Sequence, residues 1–374
     1  MSRRERLLQE ATAELALNAL VLRDTSNIRW VTDFTGVFDA EPAHLLLATP
    51  SRLVLHTDSR YSTTLRHLAT GTSIEIDESR VSHATFVSDA LAGLQEAHGP
   101  IRIGFEDTLT YREHRALTQA LAKELGEEGF VLVATSGLVE SLRSVKDPNE
   151  VSAFERAQEI TDAAFSHIVD YMEPDMTERA VQQELDRFML EAGADGLAFD
   201  TIVASGPNGA SPHALPRFRR LAQGDAVVMD FGARLDGYCS DMTRTVFIGT
   251  PEPEMARAWE ALREANESCA SMIAPGIKPS QVAAHCERVL ERHGFGGSMG
   301  HSLGHGVGLD IHEAPALSQS NDRPLVPGNV VTVEPGIYLE GRFGMRLEDF
   351  GVVTDAGLRV FTKSTHEMVI IGNR

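Results

Sequence analysis

Short apolar runs alternate with helical patterns over the first third of the chain. "ALVLR", "AHLLLAT", "RLVLHTD", "SIEID", "IRIGFE" and "VLVAT" read as strands, with "SRYSTTLRHLA", "HATFVSDALAGLQEA" and "YREHRALTQALAKEL" as helices between them. Ahead of them "LLQEATAELALNAL" has the spacing of an amphipathic helix. The alternation predicts a compact α/β domain. It contains no phosphate-binding Gly loop and no cluster of acids with histidines.

The pattern changes at "SVKDPNEVSAFERA", where Asp147 suits an N-cap, Pro148 the first helical position and Glu150 the third place of a capping box. Val151, Phe154, Ala157, Ala164 and Ile168 then mark one face of a long helix. "DMTERAVQQELDRFMLEAG", "PEMARAWEALREANESCASMIA" and "SQVAAHCERVLERHG" give three more helices, and strand-like segments follow each pair. Helices, hairpins, helices and hairpins again form a weak internal duplication. It predicts an α+β domain with an antiparallel sheet and helices on one face. Domains are expected over residues 1–144 and 145–374.

Composition narrows the class. Of 374 residues, 42% are apolar and 24% charged, the proportions of an ordinary folded protein. A net charge of −20 without a Lys/Arg block argues against nucleic acid as partner. No apolar run approaches the ~18 residues of a membrane span, and the N-terminus lacks a signal-peptide core. Cys239, Cys269 and Cys286 have no metal spacing and are too few for a disulfide framework. Cys286 shares a helical face with Val282, Val289 and Leu290, which predicts a core position. A reduced, cytoplasmic enzyme is expected.

The carboxylates carry the candidate chemistry. In "VVMDFGARLDGYCSDMTRTV", Asp236-Gly237 is a two-residue hairpin signal. With that turn Leu235 pairs with Tyr238, Asp241 lies opposite Gly232, and Asp230 lies opposite Thr243. Asp230 and Asp241 then share one face of the sheet, diagonally across the pair. Two bare carboxylates there repel, and a cation between them removes the penalty; the bland alternative turns both to solvent. Glu334 in "VVTVEPG" ends a β-branched strand, where an unpaired glutamate is costly. In "GMRLEDFG", Arg346 and Glu348 share a face and Leu347 takes the other. The register between Glu334 and Glu348 stays open, because the segment joining them is long. Two aspartates, two glutamates and one histidine suit two divalent cations, with Mn, Co or Zn matching mixed O/N ligands.

"GHSLG" at Gly300 matches the G-x-S-x-G nucleophile elbow, with Ser302 as nucleophile. An elbow needs a buried strand before the serine and a helix after it. Here the Gly-rich end of a helix precedes it, and "LGHGVGLDIHE" follows, with glycine at every second position from Gly304 to Gly308. Neither flank fits. The zincin motif also fails, since Ala314, Pro315 and Ala316 follow His312-Glu313. Three histidines, His301, His305 and His312, amid glycines that let backbone approach a ligand, point instead to a site.

The order Asp230, Asp241, His305, Glu334, Glu348 resembles the pita-bread metallopeptidases, the family of methionine aminopeptidase, aminopeptidase P and prolidase. "IVASGPNGASPHALP", "MDFGARLDGYCSDMTRT", "GHGVGLDIHE", "TVEPGIY" and "GMRLED" are similar to its consecutive motifs. "NIRWVTDFTG" and "HTDSRYSTTL" are similar to the smaller N-terminal creatinase-type domain of the proline-specific branch, which cleaves between an N-terminal residue and proline. The resemblance implies that Asp230 chelates one metal, that His305 and Glu334 bind the other, and that Asp241 and Glu348 bridge both. It implies that His213 and His312 face substrate and that His301 and Arg346 support the site. A surface loop position is the bland alternative for His213. Two divalent ions (Mn first, then Co or Zn), peptide substrates with proline second, and a homodimer follow from the same resemblance.

The fold also hosts creatinase-like hydrolases of non-peptide amides or amidines and inactive binding modules, so fold alone does not decide function. One departure bears on substrate length. Prolidases of the family often show "HExPR", where the arginine holds a dipeptide's carboxylate; here "HEAPA" places Ala316 at that position. Arg342 or Arg60 are the candidate substitutes. An Xaa-Pro aminopeptidase is therefore expected ahead of a strict dipeptidase.

Overall fold

The computed structural model describes residues 2–39, 41–94 and 99–372. The chain forms two compact units, Met1–Arg143 and Ser144–Arg374. In the first, α1 (Arg3–Glu14), β1 (Ala19–Leu22), α2 (Thr25–Thr32), β2 (Leu45–Ala48), β3 (Leu53–His56), α3 (Ser62–Ala69), β4 (Ile74–Asp77), α4 (His83–Leu91), β5 (Ile101–Glu106), α5 (Tyr111–Leu125), β6 (Phe130–Thr135) and α6 (Leu138–Arg143) follow in order. The strands form one mixed sheet, β4-β3-β2-β1-β5-β6. Helices α4 and α5 cover one face through Phe86, Val87, Leu91, Leu117 and Leu121, against Val21, Leu47 and Ile103. Leu20, Leu22, Leu46 and Leu55, alternating with these, are fully buried as well. Burial on both faces explains why the strands read as continuous apolar runs.

Two expected helices are shorter than their patterns. The N-terminal one stops at Glu14, because Ala19 and Leu20 join β1 and pair with the sheet. The helix from His83 ends at Leu91 in a 3₁₀ turn over Ala92–Leu94, and residues 95–97 of that expectation lie outside the described residues.

The second unit opens with α7 (Pro148–Tyr171), whose N-cap Asp147 accepts from Asn149 and Glu150 while Glu150 closes the capping box. Then come α8 (Glu178–Glu191), β7 (Gly196–Leu197), β8 (Ile202–Ser205), β9 (Ala226–Phe231), β10 (Ala233–Leu235), β11 (Tyr238–Cys239), β12 (Met242–Ile248), α9 (Pro253–Met272), α10 (Pro279–Arg292), β13 (Gly304–Gly306), β14 (Glu313–Leu317), β15 (Val330–Val333), β16 (Gly336–Leu339), β17 (Phe343–Arg346), β18 (Asp349–Thr354), β19 (Gly357–Val360) and β20 (Val369–Ile371).

Each helix pair packs on its own sheet. Phe165, Ile168, Val181 and Leu185 of α7 and α8 meet Val203, Val227, Met229 and Val246. Trp259, Leu262, Val282, Cys286 and Val289 of α9 and α10 meet Val331, Val333, Ile337 and Met345. The single antiparallel sheet of the expectation is in fact divided. One sheet runs β20-β12-β9-β8 and another β14-β13-β15-β18-β19, with the small sheets β11-β10-β7 and β16-β17 beside them. Strand β20 lies parallel to β12, an exception that the hairpin pattern did not reveal. Among the described residues no helix is long and apolar enough to cross a membrane.

Candidate metal centre

Two hairpins carry the acidic side chains. In the first, Leu235 pairs with Tyr238 and Asp230 with Thr243. The Asp236-Gly237 turn has φ of 48° and 78°, the left-handed pair that this turn requires. Asp230 and Asp241 both line a cavity of about 480 Å³, so the solvent-facing alternative does not hold. In the second hairpin Val333 pairs with Asp349 and Gly336 with Arg346. Glu334 and Glu348 therefore lie directly across from each other, which settles the register left open above. The hairpins are joined: Glu348 N donates to Thr243 O at 3.1 Å, and Arg346 N to Thr245 Oγ1 at 3.1 Å.

The histidine comes from the Gly-rich segment, and the glycines are there for close approach. A Cβ at Gly304 would stand 2.2 Å from Thr332 O, and one at Gly306 would stand 2.4 Å from Ala314 O. Strand β13 can thus press between β14 and β15, with His305 N donating to Thr332 Oγ1 at 3.0 Å. His305 Nδ1 donates to Gly306 O at 3.0 Å, which leaves the Nε2 lone pair for the cavity. That Nε2 stands 3.5 Å from both Asp241 Oδ2 and Glu334 Oε1.

The donor set fits divalent cations. Ligand atoms of Asp241, His305 and Glu348 lie within 4.8 Å of one another. Asp241 and Glu348 are buried, and Asp230 Oδ1 is buried without a hydrogen-bond partner. Burial and then the neighbouring carboxylates push the Asp241 and Glu348 carboxyls well up, against the pull of Arg346. Burial pushes Glu334 up to about 7. Four carboxylates facing one guanidinium are short of positive charge, which divalent ions would supply.

Arg346 is that guanidinium. It pairs with Asp230 Oδ2 and donates to Thr243 Oγ1 and Tyr338 Oη, both at 2.8 Å. Tyr338 Oη lies 3.1 Å from His301 Nε2, and His301 Nδ1 donates to Ser302 O at 2.7 Å. Burial lowers His301 to about 4, so the ring is neutral and the chain Arg346, Tyr338, His301, Ser302 O has one consistent direction of donation. His301 thus engages the Ser302 carbonyl rather than its hydroxyl. Ser302 is followed by β13, not a helix, so the elbow is not formed. His213 and His312 line the cavity; the His312 ring meets His305 edge-on at 4.4 Å.

All nine candidate side chains line this cavity, and so do Phe199, Asp200, Ile202, Pro212, Ile311 and Ala316. The sequence reading did not single out the wall residues Phe199, Asp200, Ile202 and Ile311, nor the supports Thr243, Thr332 and Tyr338. Thr243 was within reach, since it lies opposite Asp230 in the hairpin read from the Asp-Gly turn. Tyr338 was not, because its hydroxyl's partners, His301 and Arg346, come from two segments far apart in the chain. Arg346 is the only Lys or Arg among the described residues lining the cavity. Arg342 instead pairs with Glu254, and Arg60 pairs with Asp58 and Glu41.

Comparison with known proteins agrees with this geometry. Residues 152–355 match the model of metallopeptidase family M24, and residues 3–145 match that of the creatinase/prolidase N-terminal domain. An uncharacterized peptidase of Bacillus subtilis, YqhT, is 34% identical over 97% of this chain and 99% of its own. Among solved structures, the Xaa-Pro dipeptidase from Bacillus anthracis is 36% identical with a TM-score of 0.89, covering 98% of this chain and 99% of that one. The X-Pro aminopeptidase from Thermotoga maritima is 30% identical with a TM-score of 0.84, covering 97% and 100%.

Proposed function

This chain belongs to metallopeptidase family M24, and from that premise we propose that it removes the first residue from peptides with proline second, preferring tripeptides and longer. The observation that carries the length preference is the cation inventory of the cavity. Position 316 is alanine, and Arg346 is committed to Asp230, Thr243 and Tyr338. A dipeptide's carboxylate then finds no free guanidinium and loses its advantage over a longer chain, whose added residues make contacts.

Asp230, Asp241, His305, Glu334 and Glu348 would hold two divalent ions, with manganese first and Co or Zn as substitutes. When bound, such ions supply a water acidic enough to attack at neutral pH and polarise the scissile carbonyl. Glu334 takes the proton of the attacking water and returns it to the proline nitrogen as that leaves. His312 and His213, whose rings face the cavity, donate to the carbonyl oxygen as negative charge develops there. Arg346 holds Asp230 in place, and the Tyr338–His301 chain holds the Ser302 backbone beside β13. A homodimer belongs to this reading through the family resemblance, and a cytoplasmic location through the three cysteines, which form neither a metal spacing nor a disulfide framework.

The test compares kcat/KM for matched Xaa-Pro and Xaa-Pro-Yaa substrates, with Xaa-Ala controls, after loading with Mn or Co. Longer substrates should win, and a chelator should stop both. A dipeptide preference above ~tenfold, worth ~1.4 kcal/mol, would sink the aminopeptidase reading.

A further inference from the structure

The ladder alongside β9 and β10 slips beside the cavity. Leu197 pairs with Ala233 and Ala198 N donates to Gly232 O, whereas Ile202 pairs with Asp230. Four residues of one strand run opposite two of the other, so two extra residues leave the ladder as a bulge. Bulges next to active sites re-aim side chains. Here Thr201 is buried while Phe199 and Asp200 line the cavity. The bulge stands immediately before the residue that pairs with Asp230, so it borders the metal centre.

Phe199, Ile202 and Ile311 give the cavity an apolar lining, and Asp200, an exposed residue, lines it as well. Asp200 has no hydrogen bond or ion pair among the described residues, unlike Asp230, which takes Arg346. An apolar lining that includes an unpaired carboxylate matches a side chain with an alkyl stem and a cationic head. Proline carries no such group, so the match falls to the residue before it. We infer that Asp200 makes the enzyme select lysine or arginine as the first residue of its substrates, an inference that rests on the Xaa-Pro reading above.

The experiment uses the full chain loaded with Mn and four peptides, Lys-Pro-Ala, norleucine-Pro-Ala, Leu-Pro-Ala and Glu-Pro-Ala. Lysine and norleucine share the stem and differ in the charge. Lysine should exceed norleucine in kcat/KM by about fivefold, the size of an exposed charge pair, and the advantage should shrink with added salt. Glu-Pro-Ala should be slowest. Asp200→Asn should bring the lysine-to-norleucine ratio to about one, and Asp200→Lys should make the glutamate peptide better than the lysine one. Equal rates for lysine and norleucine in the wild type overturn the inference. A uniform loss over all four peptides in Asp200→Asn overturns it too, because the carboxylate would then be reading the shared α-ammonium. If none of the four is cleaved, the Xaa-Pro reading falls along with this inference; if all are cleaved without charge preference, only this inference falls.

Discussion

Each acidic side chain of the cavity is unfavourable by itself, and the centre is held by what they share. Asp241 is buried beside Glu348, Asp230 and Glu334, and every one of these neighbours disfavours its charge. Replacing Asp241 by Ala removes a carboxylate that lies within 4.8 Å of the candidate ligand atoms of His305 and Glu348, while the remaining carboxylates still repel. Bound metal should fall below two ions per chain by elemental analysis, and turnover should drop by orders of magnitude in step. An Asp241→Ala protein that keeps two ions and full rate would remove this residue from the centre. Legibility differed between the two hairpins for a concrete reason. Asp236-Gly237 announced its turn, so the shared face of Asp230 and Asp241 could be worked out in advance. The segment between Glu334 and Glu348 is longer and carries no Asn-Gly or Asp-Gly pair. Yet Leu339 pairs with Phe343 around a three-residue turn holding Gly341 at φ 71°. A glycine in a three-residue hairpin loop is a known signal, so that register was readable and was missed.

At the scale of elements, the glycines of β13 decide where His305 stands and the bulge before β8 decides where Phe199 and Asp200 stand. Gly304 has ordinary backbone angles, so its role is absence of a side chain: an added Cβ meets the backbone oxygen of Thr332, which cannot rotate away. Gly300, four residues earlier, has φ 74° and open space around its Cβ position. Gly300→Ala should therefore cost about 1 kcal/mol, from backbone strain alone. Gly304→Ala should cost ~2–4 kcal/mol by forcing β13 off β15, and should weaken metal binding because His305 moves with it. Denaturant unfolding with a metal titration on both variants checks this; equal penalties with unchanged metal affinity would show that β13 tolerates the shift. The even spacing of these glycines was visible in the chain, but their reason was not, since it lies in β14 and β15. The bulge was less legible still. "FDTIVAS" reads as one strand, and a slip of two residues leaves the alternation of side chains intact on either side of it.

Over the whole catalytic unit, the two sheets act as one body through a buried charge network. Arg244, on β12, donates to the Glu348 carbonyl, to Asp349 Oδ1 at 2.8 Å, and to Ser364 O at 2.8 Å. His366 closes the network, 2.8 Å from Asp349 Oδ2 and 3.2 Å from Glu267 Oε1 on α9. One guanidinium and one imidazole thus tie β12, the start of β18, the C-terminal segment and a helix of the second sheet. The hydrogen bond to Asp349 raises the His366 pKa against the effect of burial. Burial alone would raise Asp349, but Arg244 and His366 hold its carboxyl well below the usual range. The signs define a window. A raised His366 contributes stability that is full below its unfolded value near ~6.5 and is lost as pH rises through the higher folded value. A depressed Asp349 contributes above ~3.9 and loses its contribution as pH falls toward the lower folded value. The pair is therefore worth most between about pH 4 and 6.5. His366→Gln should destabilise the metal-loaded protein by ~1–2 kcal/mol at pH 6, the scale of a charge-assisted hydrogen bond. That corresponds to a fall of a few degrees in Tm, and the gap from wild type should narrow as pH is raised to 9. Thermal unfolding of both proteins across that range decides it. A deficit that stays constant with pH would mean that His366 acts through packing, and that the two sheets are not held by its charge.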